Sequence, residues 1–151
     1  MQRLALSACL CLLAACAAAP KKADDKPLTQ TCAEFAKALE NGSTLSEKEK
    51  RELVDKLKDE IFHWKVKVLA VSDETSRGEL VNGMAFDVEC EDRPNTNDQG
   101  MRYLFTLYFD KRVAELAQLS HGALLVVDGS VTRYEGQAAF AAHVRSYQIA
   151  K

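Results

Sequence analysis

The most reactive side chains in this sequence are five cysteines, at positions 9, 11, 16, 32 and 90, and three histidines, His63, His121 and His143. Thiols can be alkylated, oxidised in pairs or bound to a metal. Metal binding fits poorly, because neither Cys nor His recurs at paired ligand spacing. Nucleophilic catalysis fits no better: the chain has no G-x-S-x-G, no H-E-x-x-H and no phosphate-binding loop. Its Asp and Glu residues offer no spacing that singles out one acid and one base. His63 falls between a helix and a strand, His121 at a helix end and His143 within a strand. Each reads as structural or solvated, and His121 suits the C-terminal end of a helix. These residue types argue against an enzyme and call for no cofactor.

Cys16 has a different setting. It closes an apolar run, Leu4 to Ala15, that follows a single positive charge, Arg3. A positive start, an apolar middle and a small-residue cleavage site are the parts of a secretory signal. The run is too short for a spanning helix, which needs roughly 20 apolar residues. Leu13-Ala14-Ala15-Cys16 resembles the lipobox of bacterial lipoproteins at each of its positions. The resemblance implies that residues 1–15 are a signal peptide removed on export. It implies that Cys16 becomes the mature N-terminus and carries diacylglycerol on its thiol, with a further acyl chain such as palmitate on the freed amine. Each buried methylene contributes about 0.8 kcal/mol, and one chain alone holds only marginally. Ala17 rather than Asp after the cysteine implies sorting to the periplasmic face of the outer membrane in a Gram-negative host. The competing reading is ordinary cleavage at Ala17-Ala18-Ala19, which gives a soluble secreted protein. Pro20 just after that cut tells against it.

Export simplifies the cysteine count. Cys9 and Cys11 leave with the signal and Cys16 is lipidated, so Cys32 and Cys90 remain. In an oxidising compartment they could form one disulfide, for which loop closure predicts about 4 kcal/mol. Two buried reduced thiols are the alternative. Removing residues 1–15 takes out one charge, leaving 19 Lys/Arg against 22 Asp/Glu, a net charge near −3. Such a balance lacks the basic footprint of a nucleic-acid binder.

The elements that position these residues follow in order. Residues 16–27 form the lipidated cysteine and its tether: AAAPKKADDKP has almost nothing to bury. Lys21 and Lys22 could touch anionic headgroups. Residues 28–63 form a helical preface of two short amphipathic helices. Thr31-Cys32-Ala33-Glu34 fits a capping box, followed by Cys32, Phe35, Ala36 and Leu39 on one face and Asn41-Gly42 as the stop. Ser46-Glu47-Lys48-Glu49 is a second box, opening a charged helix with Leu53, Val54, Leu57 and Ile61 on one face.

From Trp64 the period drops to two. Trp64, Val66, Val68 and Ala70 should face inward on a first strand, and Met84, Phe86, Val88 and Cys90 on a second. Antiparallel pairing would set Lys65 and Lys67 on the outer face with Asp87, Glu89 and Glu91. The polar stretch from Glu91 to Gly100 has Asn where a calcium loop needs its first Asp, and Thr106 where it needs Glu, so calcium is not expected. Met101 to Phe109 is a third, aromatic strand. Asp110 should cap a short helix with Val113, Leu116, Ala117 and Leu119 inward. Leu124 to Tyr134, with a bulge at Gly129, and Ala139 to Ile149 complete five strands.

The order strand, strand, strand, helix, strand, strand is that of an OB-fold, a Greek-key barrel. Leu119-Ser120-His121-Gly122, then Val126-Val127-Asp128-Gly129-Ser130-Val131, resemble the helix-to-fourth-strand signature of small bacterial OB domains. The chain from Trp64 to its end is similar to the tRNA-anticodon-like OB family of putative lipoproteins. The expected architecture is therefore mainly β with some α: a five-stranded OB-like Greek-key barrel over residues 64–151, behind two short helices. An antiparallel α+β roll is the alternative fold. OB-folds bind oligonucleotides or oligosaccharides on strands two and three, but outward Asp87, Glu89 and Glu91 repel phosphates, so nucleic acid is not the expected ligand. The expected function is a membrane-anchored, non-catalytic binding module for another envelope protein or a small envelope ligand. Arg102, Tyr108, Arg133 and Tyr134 form its candidate binding surface. A structural or self-associating envelope lipoprotein, built on the helical preface, is the second reading.

Overall fold

The computed structural model describes residues 26–72, 83–91, 105–136 and 139–150. The signal, Cys16, most of the tether, the polar stretch 92–100 and Arg102 lie outside the described residues.

Two capping boxes start the helices. In α1 (Cys32–Leu39) the Glu34 amide donates to Thr31 Oγ1 at 3.2 Å, and the Thr31 amide donates to the Glu34 carboxylate at 2.9 Å. In α2 (Glu47–Leu57) Ser46 and Glu49 make the same reciprocal pair. Each box satisfies two amides that a helix start otherwise leaves orphaned. The buried face of α1 is Cys32, Phe35, Ala36 and Leu39. That of α2 is Val54, Leu57 and, unexpectedly, Lys50. Ile61 is not on α2, whose last helical residue is Leu57. Ile61-Phe62-His63-Trp64 suits a pleated strand better than a helix, and β2 (Glu60–Ser72) takes it up. A short strand β1 (Lys26–Pro27) lies parallel to the start of β2.

The remaining elements are β3 (Met84–Cys90), β4 (Phe105–Phe109), α3 (Ala114–Ala117), β5 (Leu124–Gly136) and β6 (Ala139–Ile149). β2 pairs antiparallel with both β3 and β5, β3 with β4, and β5 with β6. β4 and β6 pair parallel. The result is a mostly-β domain with a closed, mixed five-stranded barrel, an extra strand and a few helices.

Closure depends on local irregularities. β2 slips register between Val68 and Ala70. The slip reverses the alternation, so Ala70, expected inward, is exposed and Val71 packs on the core instead. β5 slips against β6 at Asp128/Gly129. A Cβ at Gly129 would run into the His143 carbonyl oxygen and lie 2.7 Å from Phe62 Cζ, so the two strands can pass there only with glycine.

The core is an aromatic stack. Phe62 and Trp64 stack at 4.1 Å, Phe105 and Phe140 at 4.6 Å. Phe35 of α1 meets Phe140 edge-on at 4.9 Å, so the helix closes over the barrel interior. Such pairs contribute about 0.5–1.5 kcal/mol each beyond burial of area. The Trp64 indole N–H donates to the Gln30 carbonyl at 3.0 Å, which satisfies its one polar atom. Cys32 at the start of α1 and Cys90 at the end of β3 are joined as a disulfide, with Cα atoms 5.6 Å apart.

The short helix departs from expectation. α3 is a single turn with Val113 at its N-cap and no side-chain cap. Asp110 instead reaches His143 Nε2 at 2.7 Å. Leu116 is buried and Val113 and Leu119 pack on the core, but Ala117 faces solvent. A left-handed Gly122, with φ of 90°, turns the chain into β5.

Candidate functional site

The outer face of β2, β3, β4 and β5 carries the residues that the sequence offered for binding. Lys65 meets Glu91 at 2.7 Å and Lys67 meets Glu89 at 3.3 Å across the β2–β3 pair. Asp87 lies beyond the β2 slip, opposite Ala70, and accepts from Thr106 Oγ1 at 3.1 Å. Glu89 and Glu91 are therefore each matched by a lysine, while the charge of Asp87 is met by the Thr106 hydroxyl.

Next to it, Ala85, Tyr108 and Ala141 form a small apolar cluster separate from the main core. Arg133 lies over it, with its guanidinium 5.7 Å from the Tyr108 ring centroid. Arg133 Nη2 donates to the Tyr108 hydroxyl at 3.3 Å and to Glu135 at 2.8 Å. A guanidinium over a phenol ring attracts it electrostatically, while Glu135 fixes the guanidinium plane. Arg133, with 37% of its side chain exposed, is the part of this group open to a ligand, and the buried Tyr108 ring supports it. The group holds no nucleophile with an adjacent base.

The four candidate contact residues thus separate. Tyr108 and Arg133 come together, although Tyr108 itself is buried. Tyr134 is on the opposite side of the wall. Neighbouring strand residues face opposite ways, and a second register slip between Val131 and Arg133 turns Tyr134 inward. It is 8% exposed, and its hydroxyl donates to the Glu47 carboxylate at 2.9 Å. Glu47 also accepts from buried Lys50 at 3.1 Å, and Arg51 lies over the Tyr134 ring. The Tyr134 hydrogen bond, followed by that of Lys50, holds the Glu47 carboxyl below its ordinary pKa. This cluster ties α2 to β5, a structural use of Tyr134. Arg102 lies outside the described residues.

Two of the three histidines, His63 and His143, contact carboxylates. His63 Nδ1 lies 2.6 Å from Asp128 Oδ1, and Ser146 Oγ donates to the other oxygen of Asp128 at 2.6 Å. These hydrogen bonds, Ser146 first and His63 second, lower the Asp128 pKa. The hydroxyl contacts the carboxylate, not the imidazole, so no relay runs from Ser146 through His63. Sequence spacing could not reveal this cluster, since its members sit on three strands brought together only by closure. His121 is exposed in the turn after α3.

Two concavities lie among the described residues. A cleft of about 200 Å³ is lined by Thr31, Cys32, His63, Trp64, Lys65 and Glu91. A groove of about 460 Å³ runs along α1 and the turn after it, past Ala38, Ser43 and Leu45. Among the described residues no three His, Cys, Asp or Glu side chains converge to hold a metal, and no helix is long and apolar enough to cross a membrane. No protein family, curated protein or solved structure matches this chain.

Proposed function

We propose that this chain is a lipid-anchored extracytoplasmic lipoprotein whose OB-like barrel is a non-catalytic binding module for an envelope protein or a small envelope ligand. The observation that carries the reading is Leu13-Ala14-Ala15-Cys16 behind an apolar run. The Cys32–Cys90 disulfide supports the same compartment, because such bonds persist in oxidising surroundings. The OB-like Greek-key reading is supported by the parallel β4–β6 pair and by a helix between β4 and β5. In a Gram-negative host the anchor would lie in the periplasmic face of the outer membrane.

The binding surface of this reading is the outer wall at Arg133 and Thr132, beneath which Thr106 and Tyr108 are buried. Its single carboxylates and paired cations favour a polar, uncharged or zwitterionic surface over a polyphosphate, which needs a positive groove. Site-specific photocrosslinking tests it. A crosslinker at Thr132, on the exposed outer surface of β5, should capture a discrete envelope partner or ligand. Arg133→Ala should abolish that product, and a crosslinker at exposed Glu52 of α2 should not give it. The same product from Glu52, or one indifferent to Arg133→Ala, would displace the site from this wall.

A further inference from the structure

The mature chain under the lipid-anchor reading, on which this inference rests, holds an odd number of cysteines: Cys16, Cys32 and Cys90. We propose that acylation of Cys16 also decides which disulfide forms: by converting the rival thiol to a thioether, it leaves Cys32 with Cys90 as its only partner.

Chain statistics favour the wrong pair. Cys32 lies 16 residues from Cys16 and 58 from Cys90. Loop closure scales as the three-halves power of length, so in the unfolded chain Cys16 meets Cys32 about sevenfold more often than Cys90 does. Order of emergence adds to the bias. Where export keeps pace with synthesis, at roughly 5–20 residues per second, Cys90 follows Cys32 by about 3–12 s, and until then Cys16 is the nearest thiol behind the signal. Native structure does not help early. Cys32 opens α1 and fully buried Cys90 closes β3, so their approach requires β2 and β3 to pair and α1 to dock. A premature Cys16–Cys32 bond would leave Cys90 a buried thiol and α1 unstapled.

The chemistry balances as two steps. Cys16 Sγ bonds to the glyceryl carbon of a phospholipid, losing its proton, while the phosphate headgroup departs with the C–O electron pair. Cys32 and Cys90 then lose two protons and two electrons to a disulfide-bearing protein oxidant, which becomes a dithiol. A thioether sulfur neither attacks nor accepts attack in thiol–disulfide exchange.

Three full-length proteins exported into the same oxidising envelope test this. They are the native chain, a chain whose leader is replaced by a non-lipid secretory signal that leaves Cys16 as a free thiol, and that second chain with Cys16→Ser. After thiol blocking without reductant, trypsin cuts at Lys22 and Lys37 and so separates the three cysteines. Mass spectrometry then counts the linked peptides. The native and Cys16→Ser chains should carry Cys32–Cys90 alone. The free-thiol chain should show Cys16–Cys32 links, with the native link reduced severalfold. A free-thiol chain that pairs Cys32–Cys90 as completely as the others, beside an acylated native chain, overturns the inference and leaves the anchor standing. A native chain without acyl mass sinks the anchor reading and the inference with it.

Discussion

Trp64 and Lys65 are neighbours on β2, yet they live under different physics. Trp64 is 3% exposed, contacts the rings of Phe35, Phe62, Phe105 and Phe140, and has its one donor satisfied. Lys65 keeps 43% of its side chain in solvent and holds Glu91 in water-screened contact. The inner surface of the barrel wall specifies the fold through close packing, which tolerates little change. The exposed ion pairs of the outer surface contribute little to stability. The outer surface is therefore the one on which recognition can be built without unfolding the domain.

The sharpest way to break this comparison is to exchange the two surfaces' roles. Trp64→Ala should cost about 3–5 kcal/mol, read as a lowered urea midpoint, whereas Lys65→Ala should cost under about 1 kcal/mol. Equal midpoints for the two variants would remove the distinction. Next in size is the staple between preface and barrel: replacing both Cys32 and Cys90 by Ala should cost about 2–4 kcal/mol, with the protein keeping its β-rich circular dichroism at low temperature. Gly129→Ala adds one methyl group at the crossing with β6 and should cost about 1–3 kcal/mol. It acts from a position that touches no ligand surface, so thermal unfolding should shift while crosslinking through Thr132 does not. On the outer wall, Lys67→Ala and Arg133→Ala should each cost less than about 1 kcal/mol.

The smallest effect is one of pH. Asp128 has a folded-state pKa below its ordinary 3.8 because Ser146 and His63 hydrogen-bond its carboxylate. A group with a depressed folded pKa contributes stability above its unfolded value and loses it as pH falls through the folded one. The Asp128 contribution should therefore be complete at neutral pH and fade below about pH 4. Asp128→Asn should unfold slightly more easily than the native chain at pH 7 and no more easily at pH 2. A difference that persisted at pH 2 would mean that Asp128 acts through packing and not charge.

Much of the inner wall was legible from sequence because it obeys period two over whole strands: Met84, Phe86, Val88 and Cys90 are all inward, as are Trp64, Val66 and Val68. The capping boxes at Thr31 and Ser46 were legible because their partners are three residues apart. The two misplaced strand residues have one cause. A register slip reverses every later side chain on its strand, and no local residue pattern announced the slips at Leu69 or beyond Val131. Strict alternation therefore puts Ala70 and Tyr134 on the wrong faces, and the outer patch loses Tyr134. Ile61 was assigned to α2 because its spacing suited a helix, while its β-branched, aromatic neighbourhood favoured the strand. Asp110 had a cap geometry in sequence, but His143 from β6 outcompeted it. The His63–Asp128–Ser146 cluster joins residues from three strands, and only closure creates it.

The most direct test of the whole account is the intact mass of the mature protein, taken from the membrane fraction without reductant. The expected species is a chain that begins at Cys16, carries diacylglyceryl and amide-linked acyl mass, and is lighter by two hydrogens for the Cys32–Cys90 bond. An unmodified chain beginning between Ala17 and Pro20 would contradict that expectation, freeing the domain from the membrane and removing the basis for an envelope-bound partner.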